Sequence, residues 1–174
     1  MRRVADAGRV QDFMRRLGQR AEAGGRVYLT GGATALLLGW RSTTIDIDLA
    51  LEADAEHLLR LLPALKEELE LNVELASPSD FIPELPGWQD RSRFIQRDGT
   101  VDFFHYDFYA QALSKVERGH AQDQSDVRAM LDRALIDPGT ASALFDRIEP
   151  ELYRYPAIDP KTFRREVDRV FGRV

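Results

Sequence analysis

The chain has 174 residues and a formal net charge of −5, with 44% hydrophobic and 30% charged residues, which is typical of an ordinary globular protein. It has no cysteine, which excludes disulfides and thiolate zinc sites, and its acidic balance argues against DNA binding, which usually needs a basic face. No apolar run approaches the ~20 residues of a membrane span, and none follows Arg2 and Arg3 as a signal peptide would require, so we expect a cytoplasmic protein.

The first half of the chain alternates between helices and strands. The spacing of its hydrophobic residues predicts a helix, a strand, a helix, a strand, a helix and a strand at residues 8–23, 26–30, 33–40, 41–51, 55–70 and 71–76. Pro63 lies inside the fifth of these elements and should kink or divide it, because proline removes a helical hydrogen bond.

The second half is richer in helices. Residues 77–90 hold three prolines and several large apolar side chains, which is typical of an ordered loop rather than a flexible linker. Asp98-Gly99 predicts a hairpin turn between two strands. Helices are predicted at 108–119, 123–135 and 140–152, with a last one that begins at Asp159 as N-cap.

This order of elements predicts the α+β class. We expect one domain over 1–174, with a small mixed sheet flanked by helices over 1–110 and a helical C-terminal part over 111–174.

The segment T-I-D-I-D-L-A-L, residues 44–51, holds two aspartates at strand spacing. Side chains alternate along a strand, so Asp46 and Asp48 should share one face while the core receives Ile45, Ile47, Leu49 and Leu51. Two neighbouring carboxylates repel each other unless a cation lies between them, and Mg²⁺ suits one or two carboxylates combined with substrate phosphates. The alternative is a solvated pair on an exposed sheet face.

A glycine pair lies upstream of these aspartates. Gly31 and Gly32 close the apolar strand Val27–Thr30 and open the next helix. Glycine lets the backbone approach a phosphate closely, and the first N–H groups of a helix are available to an anion. A plain strand-to-helix turn is the alternative.

Together these segments resemble a known superfamily. Leu29-Thr30-Gly31-Gly32, a thirteen-residue gap, and Asp46-Ile47-Asp48-Leu49 resemble the nucleotidyltransferases related to DNA polymerase β. Within that superfamily, the sequence of these segments is most similar to the minimal bacterial branch, which includes toxin–antitoxin nucleotidyltransferases. The resemblance implies that the glycines hold a triphosphate and that the aspartates bind divalent metal, and its close match spans about residues 26–51.

A second metal ion in such a site commonly needs a third carboxylate. Glu74 lies on the third predicted strand, with Asn72 on the same face and the leucines on the other. Asp102 lies just past the hairpin turn, on a face that it shares with aromatic residues, which is a poor setting for a metal ligand. We favour Glu74 as the third metal ligand and catalytic residue, with Asp102 as the alternative.

Four further residues are candidates for nucleotide binding. Thr30 and Thr34 flank the glycine pair and could add hydroxyl contacts to the phosphates. Arg41 precedes the acidic strand and either binds an anion or is a surface arginine. Lys115 belongs to a set that is similar to one in related toxins, where the lysine helps to bind nucleotide. The set comprises Lys115, Arg118, Asp123 and Asp126, and the alternative is a solvated helix face with a salt bridge.

The residues and the resemblance predict a Mg²⁺-dependent nucleotidyltransferase. It would move a nucleoside monophosphate from a nucleoside triphosphate to an acceptor hydroxyl on a protein, a tRNA or a small molecule. The alternative is a catalytically inactive module that binds a nucleotide or a partner in a toxin–antitoxin type system, with a cognate antitoxin as the possible partner. His105, among aromatic residues, is expected to be buried and hydrogen-bonded.

Overall fold

The computed structural model describes residues 2–172, and the chain forms two compact units. The first unit comprises Met1–Ser77 and Ser92–Tyr106, and the second comprises Pro78–Arg91 and Asp107–Val174. The chain enters the helical unit for the last time after Tyr106, close to the boundary that was predicted at residue 110. The assignment of Pro78–Arg91 to the helical unit was not predicted, so the chain passes between the units three times rather than once.

The first unit contains all five strands and three of the α-helices. The helices are α1 (Ala7–Arg20), α2 (Gly31–Leu38) and α3 (Leu62–Glu68), and the strands are β1 (Gly25–Thr30), β2 (Asp46–Leu51), β3 (Asn72–Leu75), β4 (Arg93–Asp98) and β5 (Val101–His105). A 3₁₀ helix, Ala53–Leu61, precedes α3, in whose first turn Pro63 lies. Proline is tolerated there because the first N–H groups of a helix have no helical acceptor, so the predicted division at Pro63 is confirmed.

The five strands form one mixed sheet in the order β3-β2-β1-β5-β4. The pairs β1–β2 and β4–β5 are antiparallel, and the pairs β1–β5 and β2–β3 are parallel. The predicted hairpin turn at Asp98-Gly99 joins β4 to β5, with Gly99 in the left-handed conformation at φ +59°. A mixed sheet flanked by helices confirms the predicted α+β class.

One face of this sheet is the hydrophobic core. Side chains from β1, β2 and β5 pack with those of α1 and are fully buried, among them Val27, Leu29, Ile47, Leu49, Phe103, Phe13, Met14 and Leu17. Ile45 was expected in this core but is 73% exposed. The reason is that β2 begins only at Asp46, and the residues before it form an irregular segment that a bridge between Ala5 and Thr44 holds in place.

The second unit is helical. Its α-helices are α4 (Trp88–Arg91), α5 (Phe108–Arg118), α6 (Ala121–Asp132), α7 (Pro138–Ile148) and α8 (Pro160–Phe171), and its 3₁₀ helices are Pro78–Asp80 and Glu149–Arg154. The Asp159 carboxylate accepts the backbone N–H groups of Lys161 and Thr162, so the predicted N-cap of the last helix is confirmed. Across residues 2–172, no helix is both long and apolar enough to span a membrane.

Candidate active site

The two aspartates lie on the sheet face opposite the core. Asp46 and Asp48 alternate along β2 with Ile47 and Leu49, which are both fully buried in the core, and both aspartates are partly exposed. Asp48 lies opposite Thr30 of β1 on one side and opposite Glu74 of β3 on the other. Thr30, Asp48 and Glu74 therefore form one row across three adjacent strands, with ~4.8 Å between neighbours.

Asn72 links the carboxylates of β2 and β3. Its side-chain amide donates hydrogen bonds to Oδ1 of Asp46 and, at 3.0 Å, to Oε1 of Glu74. Its carbonyl oxygen accepts a hydrogen bond of 2.8 Å from the guanidinium of Arg2, which fixes the orientation of the amide. The sequence signal for Asn72 was its place two residues before Glu74 on the same face, but no role was predicted for it.

The donor set fits a magnesium ion that binds through two carboxylates. Within residues 2–172, no group of three or more His, Asp or Glu side chains converges closely enough to hold a metal on its own. The amide of Asn72 lies between Asp46 and Glu74, where a further cation would have to enter. Mg²⁺ usually takes one or two carboxylates and completes its octahedron with water and substrate phosphates, so the Asp46–Asp48 pair matches that requirement.

Gly31 places the strand-to-helix turn against Asp48. It has the left-handed backbone at φ +60°, and a Cβ built on it would lie 3.1 Å from Oδ2 of Asp48. Thr30 extends this contact, since it is the residue paired with Asp48 and is only 7% exposed. The glycine turn and the carboxylate of the second aspartate therefore lie beside each other, with no room for a side chain between them.

Gly32 has a packing role of its own. A Cβ on this buried residue would lie 2.6 Å from Cβ of Thr44 and 3.3 Å from Nη1 of Arg41. Thr44 is the residue that is bridged to Ala5, so the absent side chain lets the irregular segment before β2 pack on the turn. The guanidinium of Arg41 is also brought beside the turn, where an anion would benefit from it.

Thr34 faces the protein interior rather than a ligand. It is fully buried, and its hydroxyl donates a hydrogen bond of 3.2 Å to the carbonyl of Leu29. Because a hydroxyl has one hydrogen, Nδ1 of His105, 3.0 Å away, must be protonated and donate to Thr34 Oγ1. This chain of hydrogen bonds ties the first turn of α2 to the end of β1 and speaks against the predicted phosphate contact of Thr34.

His105 is buried and hydrogen-bonded, as its aromatic surroundings in the sequence predicted. Only 4% of it is exposed, and burial, with a smaller contribution from the charge of Arg93, lowers its pKa to about 4. An imidazolium would also donate from Nδ1 to Thr34, so it is the cost of a buried charge, rather than the hydrogen bond, that keeps the ring neutral.

Asp102 lies away from the aspartate pair. It is opposite Arg26 on β1, four residues before Thr30, and its carboxylate is 3.7 Å from the guanidinium of Arg97. Four residues along a strand correspond to ~13 Å, and β5 is a further strand away from β2. The register therefore places Glu74 much closer to Asp48 than it places Asp102. The preference for Glu74 as the third carboxylate required this arrangement.

Lys115 and its predicted companions come together in the second unit. Its ammonium is 2.8 Å from Oδ2 of Asp126 and 3.5 Å from Oδ1 of Asp123, and all three side chains are almost completely buried. Arg118 completes the set at 2.7 Å from Asp123. Lys115, Asp123 and Asp126 thus form a buried ion-pair network, which Arg118 joins from the surface, and nucleotide binding by Lys115 stays a prediction.

Comparison with known proteins bears on the class of activity. A family model described as "Nucleotidyltransferase of unknown function (DUF6036)" matches residues 8–156, a span that includes the glycine turn, all the candidate carboxylates and Lys115. No curated protein and no solved structure matches the chain. The match confirms the predicted resemblance to nucleotidyltransferases.

Proposed function

The chain belongs to the DUF6036 family of nucleotidyltransferases, and we propose that it transfers a nucleoside monophosphate from a nucleoside triphosphate to an acceptor hydroxyl with the help of Mg²⁺. The observation that supports this most is the close approach of Gly31 to the carboxylate of Asp48, which sets a turn suited to phosphates beside a carboxylate suited to a metal.

The phosphates are assigned to the turn between β1 and α2. Gly31 and Gly32 are the first two residues of α2, so their backbone N–H groups belong to the helix N-terminus, where the helix dipole favours an anion. The guanidinium of Arg41, placed beside Gly32, adds a cation for the phosphates that leave as pyrophosphate.

Asp46 and Asp48 would hold the metal. Glu74, at the end of the Thr30–Asp48–Glu74 row that is farther from the glycine turn, would act on the acceptor hydroxyl. When bound, Mg²⁺ supplies positive charge that offsets the charge developing on the phosphates. The acceptor oxygen forms a bond to the α-phosphorus, and the bond from that phosphorus to the bridging oxygen breaks. Pyrophosphate leaves with the electron pair, and the acceptor proton passes to the carboxylate of Glu74 or to water.

One observation favours a second candidate, a nucleotide-binding module without catalysis. The described residues include no three-carboxylate metal group, and Asn72 occupies the space between Asp46 and Glu74. A protein that binds nucleotide through a single metal would need no more than the aspartate pair.

Calorimetry with ATP, GTP, CTP and UTP, each with and without Mg²⁺, tests the proposal. Binding that requires Mg²⁺, together with release of pyrophosphate, supports the enzyme, whereas binding without release supports the module. Absence of binding by all four nucleotides would contradict both. Asp102→Asn is a matched control, because this carboxylate is on the same sheet but remote from the pair.

A further inference from the structure

We propose that the acceptor is a polypeptide segment that adds to the edge of β3 as an extended strand and presents a serine, threonine or tyrosine hydroxyl to Glu74. This inference rests on the proposed function and names its acceptor class. Three observations support it: the order of Thr30, Asp48 and Glu74 across the sheet, which we call the catalytic row, the backbone groups of β3, and the cleft beside that strand.

The catalytic row determines the side from which the acceptor comes. Thr30, Asp48 and Glu74 follow one another across β1, β2 and β3, so the phosphate turn and the edge of the sheet lie at opposite ends of the row. Phosphoryl transfer needs the attacking and leaving oxygens roughly in line through the phosphorus. If pyrophosphate leaves toward the turn, the acceptor hydroxyl approaches from the side of β3.

The backbone of β3 is arranged to bind a further strand. Among the described residues, β3 pairs with β2 alone and is the last strand of the sheet. The N–H of Ala76 donates to the carbonyl of Leu49 on β2. Successive residues of a strand direct their N–H and C=O groups to alternate sides, so those of Val73 and Leu75 point away from β2. An extended peptide uses such groups when it adds to a sheet.

The surface beside β3 suits the alternating side chains of such a peptide. A cleft of about 630 Å³ lies along this strand, with an apolar wall formed by Leu59, Leu62, Pro63, Val73 and Leu75. Leu75 and Leu59 are 54% and 37% exposed, although both are large and apolar. Glu74 also lines the cleft, but its side chain is on the carboxylate face. Every second side chain of an added strand would meet the leucines, and the others would lie ~4.8 Å from Glu74.

Charge favours a polypeptide over a nucleic acid. The chain has a net charge of −5, and the end of the row toward the acceptor presents Asp46, Asp48 and Glu74. The cations that line the cleft, Arg2 and Lys66, are matched there by two carboxylates, and Arg2 is paired with Glu67 at 3.3 Å. A polyanion would meet repulsion here, whereas an uncharged extended peptide would not.

Chemically, the peptide hydroxyl oxygen forms the new bond to the α-phosphorus as the bond to the bridging oxygen breaks. Its proton passes to Glu74 or water, pyrophosphate carries away the electron pair, and the product is a phosphodiester between peptide and nucleoside. No oxidant or further reactant is needed.

A proline substitution in β3 tests the proposed backbone hydrogen bond to the peptide separately from the side-chain contacts. Leu75→Pro removes an N–H that points away from β2 and leaves the bonds between β2 and β3 intact, and proline is tolerated at such edge positions. Leu75→Val keeps the N–H and serves as the matched control. Leu59→Glu provides an independent variant, because it places a charge in the apolar wall from a partly exposed 3₁₀ helix and leaves every residue of the sheet unchanged.

The probes are acetyl-Val-Ser-Val-Ser-Val-amide and its threonine and tyrosine counterparts, added to the full chain with Mg²⁺ and α-labelled nucleotide. We expect label in at least one peptide, a KM for that peptide that rises about tenfold in Leu75→Pro and Leu59→Glu, and nucleotide affinity within about twofold of wild type. Without nucleotide or Mg²⁺, the peptide should shift the amide NMR signals of Val73 and Leu75.

The outcomes separate the two proposals. Failure of the wild-type chain to bind any nucleotide with Mg²⁺ refutes the proposed function, whatever the peptides do. Nucleotide turnover with label in added RNA or an aminoglycoside but in none of the peptides overturns the polypeptide acceptor. An unchanged peptide KM in Leu75→Pro and Leu59→Glu, or no shift at Val73 and Leu75, overturns addition to β3.

Discussion

Asp48 on β2 lies opposite Glu74 on β3 in parallel register. This pairing comes from the connection between the two strands, a 3₁₀ helix followed by α3, which returns the chain along the core face so that β3 runs in the same direction as β2. It brings a carboxylate that is 26 residues away in sequence to within one strand spacing of the aspartate pair. The carboxylates of the proposed site therefore depend on topology as much as on the aspartate motif.

Neutralising either aspartate should abolish transfer. Asp46→Asn and Asp48→Asn are each expected to lower Mg²⁺-dependent transfer at least 100-fold, because a magnesium ion loses one of its few protein ligands. The melting temperature of the metal-free protein should stay the same or rise, since repulsion between two neighbouring carboxylates is relieved. Wild-type turnover in either variant, measured as pyrophosphate release, would refute the metal site.

Glu74 should matter for catalysis more than for nucleotide binding. Glu74→Gln is expected to lower kcat at least 100-fold while Kd for the Mg²⁺–nucleotide complex changes less than about threefold, because the aspartate pair is enough to hold one ion. Asp102→Asn is the matched control and should change neither quantity. A loss of kcat in Asp102→Asn but not in Glu74→Gln would reverse the assignment of the third carboxylate.

Local patterns predicted most of the elements and the identity of the motif. The alternation around Asp46 and Asp48 predicted which side chains of β2 share a face. Pro63 predicted where its helix divides, and Asp159 predicted where α8 begins. These features depend on a few consecutive residues, so the sequence contains the information directly.

Long-range pairings could not be predicted in the same way. The exposure of Ile45 follows from a bridge between Ala5 and Thr44, and the burial of Thr34 follows from a hydrogen bond to His105, 71 residues later in the chain. Nothing near Thr34 in sequence shows whether its hydroxyl faces a ligand or the interior. The role of Asn72 was missed for the same reason, since its acceptor Asp46 is on another strand.

Gly32 should be required for both packing and phosphate binding, and a double variant separates the two. Gly32→Ala is expected to destabilise the fold by about 1–3 kcal/mol, because its methyl group collides with Thr44. Adding Thr44→Gly removes the colliding atoms and should recover part of that loss in a denaturant titration. Nucleotide affinity should stay at least tenfold weaker in the double variant than in Thr44→Gly alone. Full recovery of affinity would reduce the glycine to a packing role.

Lys115 should contribute to stability through its buried ion pairs. Lys115→Met is expected to destabilise the chain by about 3–5 kcal/mol, because Asp126 and Asp123 lose a buried cation. The double variant Lys115→Met with Asp126→Leu should be more stable than Lys115→Met, since one of the buried carboxylates that lost its cation is removed. Nucleotide affinity measured on the folded double variant then tests the predicted phosphate contact, which an unchanged Kd would exclude.

His105 should make the fold sensitive to mild acid. Burial lowers its pKa in the folded chain from 6.5 to about 4, so between these values the unfolded chain binds a proton that the folded chain does not. The stability due to neutral His105 is therefore complete above pH 6.5 and is lost as the pH falls toward 4, by ~2 kcal/mol between pH 7.5 and 5. His105→Asn keeps a donor for Thr34 but no titrating ring, and its free energy of unfolding should fall by that much less over the same interval. His120→Gln, at an exposed histidine, is the control and should follow the wild type. Denaturant titrations at pH 7.5 and 5 measure the difference, and parallel losses in the wild type and His105→Asn would show that the proton is not excluded from this ring.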